Sequence, residues 1–169
     1  MSALTDAAVS HQEKRLGVPL EYLRTVADAS ASAFVKMAAF APLAGHRAET
    51  PVAVWHLARL AATRVQDCGT CLQTVVNQAR ADGVPAPTLR SALGGDGAAL
   101  DEAERLALRF GRAVASNEGA HEAGAEVEAR FGEAVRVELA LAVATVQVFP
   151  VLKRGLGQDL ACALVAVEV

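Results

Sequence analysis

The sequence predicts an all-helical protein built from about six to eight helices, and three observations carry that expectation. Apolar residues recur at steps of three and four through each long segment, Gly and Pro fall at the segment ends, and 53% of the chain is hydrophobic while only 4% is aromatic. Ala, Val and Leu supply most of that apolar content, an inventory suited to closely packed helices. With 169 residues the chain fits one domain large enough to bury a core without metal or disulfide staples. We read residues 1–169 as a single helical domain, with residues 1–49 forming N-terminal helices.

A first helix is expected over residues 4–16, stopped by Gly17 and Pro19. A second is expected from Leu23 to Ala41, on a core-facing stripe of Leu23, Val26, Ala27, Ser30, Phe34, Met37, Ala38 and Ala41, with Pro42 and Gly45 ending it. The third runs to about Gln66 from Thr50 as N-cap and Pro51 at the first helical position, where a missing N–H costs nothing. Its buried side is Val54, Leu57, Ala58, Ala61 and Val65; His56, Arg59, Thr63 and Gln66 form a polar row on another side. The fourth, residues 68–82, places Leu72, Val75, Val76 and Ala79 inward and stops at Gly83.

Residues 85–97 read as a loop with a short helical turn after Thr88, and Gly94 to Gly97 as a linker without the lysine of a phosphate loop. A fifth helix over residues 101–116 carries acidic residues in its first turn and a stripe of Ala103, Leu106, Ala107, Phe110 and Val114, with Arg105, Arg109 and Arg112 on a solvated face balanced by Glu102 and Glu104. A sixth covers residues 122–131 up to Gly132. The last, residues 133–153, is apolar on all sides, as in a helix central to a core or a subunit contact, with Pro150 expected to kink or end it. The apolar tail of residues 160–169 is expected to cover a groove on its own or a neighbouring subunit.

The formal charge of −3 is spread without a Lys/Arg run, which argues against nucleic-acid binding. Residues 1–17 lack a basic segment followed by an apolar stretch, so no export signal is expected. The most apolar stretch is broken by Arg136, Glu138 and Gln147, which argues against a membrane span. A cytoplasmic protein is therefore expected.

Chemistry is expected at Asp67-Cys68-Gly69-Thr70-Cys71. A C-x-x-C pair in a reducing compartment suggests redox chemistry or metal binding rather than a secreted disulfide framework. Amide N–H groups at a helix N-terminus favour a thiolate. Asp67 opposes that effect at Cys68 more than at Cys71, so Cys71 is the expected nucleophile and Cys68 its resolving partner, although the greater expected exposure of Cys68 argues the reverse. His56, twelve residues before Cys68, is the candidate general base, provided helix packing brings it close. Inert packing thiols are one alternative. A zinc site is another, but it would need His46, His56 and Cys162 to converge, and neither metal nor cofactor is expected.

Trp55 to Val84, with His-x11-Cys-x-x-Cys, a helix and a Gly-Val turn, resembles the active-site segment of the alkylhydroperoxidase D-like (carboxymuconolactone decarboxylase) superfamily. Leu100 to Phe110, and Val127 to Gly132 leading into the last helix, resemble its C-terminal half, so that the likeness spans residues 50–157. The resemblance implies a helical fold of that type, a homo-oligomer, and a dithiol that reduces a hydroperoxide or disulfide and is recharged by a reductant whose identity the residues leave open. The family's cysteines map onto Cys68 and Cys71, its relay glutamate onto His56, the histidine between its cysteines onto Thr70, and a second histidine onto Val75. Two other readings stay open: a non-catalytic oligomeric or ligand-binding member that has lost the relay, and a decarboxylase-type enzyme, disfavoured because that branch generally lacks the dithiol.

Overall fold

In the computed structural model, which describes residues 3–94, 99–158 and 167–169, all the regular structure is helical. Among the described residues there are nine helices: α1 (Ala3–Leu16), α2 (Glu21–Ala29), α3 (Ala31–Ala44), α4 (Val52–Val65), α5 (Gly69–Ala81), α6 (Ala86–Gly94), α7 (Glu102–Ser116), α8 (Ala120–Phe131) and α9 (Glu133–Gly155). Most bounds follow local signals. Gly17, Gly83, Gly119 and Gly132 adopt the positive φ that ends or redirects a helix. Asp101 caps α7 in a reciprocal box, accepting from the Glu104 N–H while the Glu104 carboxylate accepts from the Asp101 N–H.

α4 is the hub. It packs most extensively on α7, then on α9 and α5, and its residues from Val54 to Thr63 are all buried. Leu57 and Leu60 are fully enclosed, each contributing on the order of 2 kcal/mol by removal from water. α7 approaches so closely that a Cβ at Gly111 would sit 2.1 Å from the Ala58 carbonyl oxygen, so the α4–α7 crossing requires glycine there. The polar row of α4 is thus as buried as its apolar side: His56 and Thr63 are fully enclosed and Arg59 nearly so.

Four expectations are corrected. The second helix is two helices, because Ser30 adopts an extended conformation and its side chain accepts from the Ala33 N–H, ending α2 and starting α3 at one residue. The stripe beyond that break is not core-facing: no residue of α3 is buried, and only Phe34 and Met37 lean onto a smaller cluster of Val9, Val18, Leu20 and Tyr22. Thr50 does not cap α4; its hydroxyl donates to Glu138 of α9 at 2.7 Å, and Pro51 occupies the cap position. The expected loop is largely helical as α6, whose second residue, Pro87, falls in the first turn where proline is tolerated.

α9 does not end at Pro150 but continues to Gly155. Its buried residues, Val135, Glu138, Leu139, Ala142, Val143, Val146, Pro150 and Lys153 among them, lie along one face, while Val137, Val148 and Val151 are exposed. By length and composition alone α9 could cross a membrane, and 44% of its apolar window is buried inside the protein. Glu138 is buried there as a carboxylate. Desolvation pushes its pKa up, but hydrogen bonds from the Thr50 hydroxyl and the Glu49, Thr50 and Ala48 N–H groups outweigh that and hold it at about 2. This tie fixes the chain entering α4 against α9. Cys162 and most of the apolar tail lie outside the described residues; Val167 and Val169 pack on the main core, and the Glu168 N–H and C=O both bond the Gln73 side chain of α5.

Candidate dithiol site

The turn between α4 and α5 holds the two cysteines in place. Arg154 of α9 donates to the Gln66 carbonyl and side chain, and Gln66 donates to Gln147, so the turn is tied to α9 at three points. Asp67 takes a φ of 49°, a left-handed conformation that aspartate tolerates better than most side chains, and the chain then enters α5 with Cys68 as its N-cap in extended backbone. Because Cys68 stands at the cap rather than inside the first turn, the Cα atoms of Cys68 and Cys71 lie 5.3 Å apart, within disulfide range, and the two sulfurs are bonded.

Both cysteines are buried, with 5% and 6% of their surface exposed, so the greater exposure expected for Cys68 is not found. Phe149 packs against the pair, and its ring meets the edges of Tyr22 from α2 and Phe40 from α3 at centroid distances of 6.4 and 6.0 Å. Rings from three helices thus form an aromatic wall whose Phe149 member lies against the sulfurs. Beneath it runs a polar chain: the Lys153 Nζ donates to the Thr70 hydroxyl oxygen at 2.9 Å, and that hydroxyl lies 3.7 Å from the Cys68 sulfur, within reach of a sulfur hydrogen bond. Lys153 is itself buried, with its ammonium 5.1 Å from the Tyr22 ring centroid, a cation–π distance. Burial pushes the Tyr22 phenol well above its ordinary range.

His56 is not part of this site. Its Nε2 is 2.8 Å from the Asp82 carboxylate, at the C-terminal cap of α5. Fourteen residues of rise separate that cap from Cys68, about 20 Å along the helix. Antiparallel packing is the cause, because an early position on α4 meets the far end of α5. Burial also drives the His56 pKa down to about 4, more than the Asp82 hydrogen bond restores, so the ring is neutral around pH 7. Arg59, one turn along α4, stacks 4.2 Å over Trp55 and donates to Gln78, and burial lowers its pKa to about 10. His56 thus belongs to a structural polar cluster, and the general-base assignment is withdrawn. Val75 is a core residue.

Thr70 and Lys153 are the neighbours that sequence reasoning missed. One signal was present: Lys153 continues the buried spacing of Leu139, Ala142, Val143, Val146 and Pro150 and so falls on the inward face of α9. Among the described residues no group of three or more His, Cys, Asp or Glu side chains is placed to hold a metal ion. No family model, no curated protein and no solved structure matches the chain.

Proposed function

We propose that this protein is a cytoplasmic, homo-oligomeric thiol–disulfide oxidoreductase of the alkylhydroperoxidase D-like kind, in which the Cys68–Cys71 dithiol reduces a hydroperoxide or a disulfide. The observation that carries the reading is the pair itself: two cysteines three residues apart, bridged at the N-terminus of α5, with a hydroxyl and a buried ammonium beside one sulfur. One thiolate attacks the hydroperoxide oxygen, giving a sulfenic acid and an alcohol. The second thiol displaces water from that sulfenic acid to close the disulfide, and an external thiol reductant then supplies two electrons and two protons to reopen it. The exposed apolar residues of α3 and α9, Val35, Leu43, Val148 and Val151, support association of copies.

Stopped-flow mixing of the reduced protein with cumene hydroperoxide tests the reading. Two thiols per chain are expected to disappear as the bridge forms, faster than for free cysteine; a rate equal to that of free cysteine defeats it.

A second reading draws on the burial of both sulfurs behind Phe149. In it the bridge is a staple in a non-catalytic oligomeric or ligand-binding member of the same superfamily. The two readings separate on reducibility: the staple resists millimolar dithiol reductant in the folded state, whereas the redox centre opens and recloses.

A further inference from the structure

We infer that α3 is a hinged cover over the Cys68–Cys71 bridge, and that its outward swing between Ser30 and Gly45 is the motion by which reductant and oxidant reach the sulfurs. The inference rests on the redox reading above, because a dithiol that turns over has to be reached, and it names the moving part.

Reagents do not reach the bridge while the molecule is closed. The two cysteines are 5% and 6% exposed, and Phe149 lies against them. Thiol–disulfide exchange needs the attacking thiolate in contact with a sulfur, so a reagent has to displace something first. The Phe149 ring is held in turn by Phe40 of α3, at a centroid distance of 6.0 Å, and by Tyr22 of α2, at 6.4 Å. These two supports differ in firmness. Tyr22 is buried, and α2 is tied to α1 by Arg24, which donates to Glu13 at 2.7 Å and to Asp6. Phe40 is half-buried and stands on a helix that buries no residue.

α3 has the build of a part that moves as one piece. Phe34, Met37, Phe40 and Ala44 are its half-buried residues and fall on one stripe at three- and four-residue spacing, while the rest of the helix is exposed. Phe34 and Met37 lean on the cluster of Val9, Val18, Leu20 and Tyr22. Each end of α3 sits at a break in the helical backbone. Ser30 is extended, with φ −159° and ψ 107°, and Gly45 closes the other end. Beyond Gly45 the chain is irregular until the Glu138 carboxylate fixes the Glu49 and Thr50 N–H groups at 2.9 and 3.0 Å. The helix can therefore turn out between these fixed points without unwinding α2 or pulling on α4. Exposing a half-buried stripe gives up far less apolar contact than opening the core around α4, so this local opening lies below global unfolding in free energy. With Phe40 withdrawn, the Phe149 ring loses one of its two aromatic supports and gains room to turn away from the sulfurs.

The test follows reduction of the bridge by dithiothreitol in the oxidised full chain, read by alkylation and mass, at urea concentrations below the unfolding transition. Phe34→Ala and Met37→Ala loosen α3 without removing a residue packed on the cysteines, and each should speed reduction about tenfold. Val127→Ala removes a fully buried side chain of the main core on α8; it lowers global stability and should leave the rate within about twofold of wild type. The rate should rise with urea at a small fraction of the equilibrium unfolding slope, because the opening exposes little surface. Should one α3 variant fail to fold, as judged by circular dichroism, the other decides, and the wild-type urea slope decides where neither folds. Rates unchanged by the α3 variants, rates raised as much by Val127→Ala, or a urea slope equal to that of unfolding overturn the cover. A bridge that dithiothreitol opens in no folded variant overturns it as well. Reduction that depends on α3, in a protein whose dithiol then meets cumene hydroperoxide no faster than free cysteine, upholds the cover and overturns the redox reading alone. A fast hydroperoxide reaction with reduction indifferent to α3 does the reverse.

Discussion

Both ends of α5 bury ionisable side chains against neighbouring helices, but they treat charge in opposite ways. At the C-terminal end, His56 is enclosed, neutral and tied to a half-exposed carboxylate, with Arg59 stacked on Trp55 beside it. At the N-terminal end, a buried ammonium reaches through a hydroxyl to a sulfur at the helix cap. The carbonyls of a helix C-terminus and the Asp82 carboxylate both favour a charged imidazole, but burial outweighs them and leaves His56 neutral. A helix N-terminus gathers amides, which favour an anion at its cap. The same helix thus carries a neutral polar cluster at one end and the bridged cysteine pair at the other, although sequence spacing alone would pair His56 with the cysteines.

The largest expected effect breaks the frame that separates the two ends. Gly111→Ala forces a Cβ against the Ala58 carbonyl, and we expect about 3 kcal/mol of destabilisation in urea unfolding, with loss of both clusters. Acid should dismantle the His56 end selectively. Its folded pKa of about 4 lies below the unfolded value of about 6.5, so the unfolded chain binds the proton first and stability falls as pH drops through that window, by up to about 3 kcal/mol. Urea midpoints between pH 7 and pH 4 measure this slope, and His56→Gln should flatten it. Glu138 loses its contribution lower still, as pH falls from 4.5 toward 2, so the two groups separate on the pH axis.

Asp82→Asn sharpens the comparison further. It weakens the His56 hydrogen bond and should cost about 1 kcal/mol, because the carboxylate is half exposed; dithiol reactivity should not change. The smallest effect concerns access at the other end. Phe149→Ala opens the aromatic wall, and reduction of the bridge by dithiothreitol should accelerate severalfold with little change in the stability slope between pH 7 and pH 4.

Much of the helical plan was legible because the punctuation is local. Gly17, Gly83 and Gly132 stop helices by their own conformational freedom, and the acidic first turn marks where α7 begins. The break at Ser30 was hidden because the apolar spacing of α2 continues in step across it. The exposure of α3 was hidden because its composition equals that of a core helix; periodicity reports a face, not whether anything covers it. The cysteine pair was visible as a motif, but its partner was misassigned. His56 sits early on α4, and a tight antiparallel turn sends early positions to the far end of the next helix, so the distance from Cys68 was readable from the hairpin itself. Lys153 lies 83 residues from Thr70, a separation that only the packing of α9 across the α4–α5 turn closes.

The enclosure of α4 has a consequence for how the molecule breathes. With every residue from Val54 to Thr63 walled in by other helices, its backbone amides have no route to deuterium short of opening the whole protein. They should mark the slowest-exchanging foldon, while α3, which buries nothing, trades its protons early.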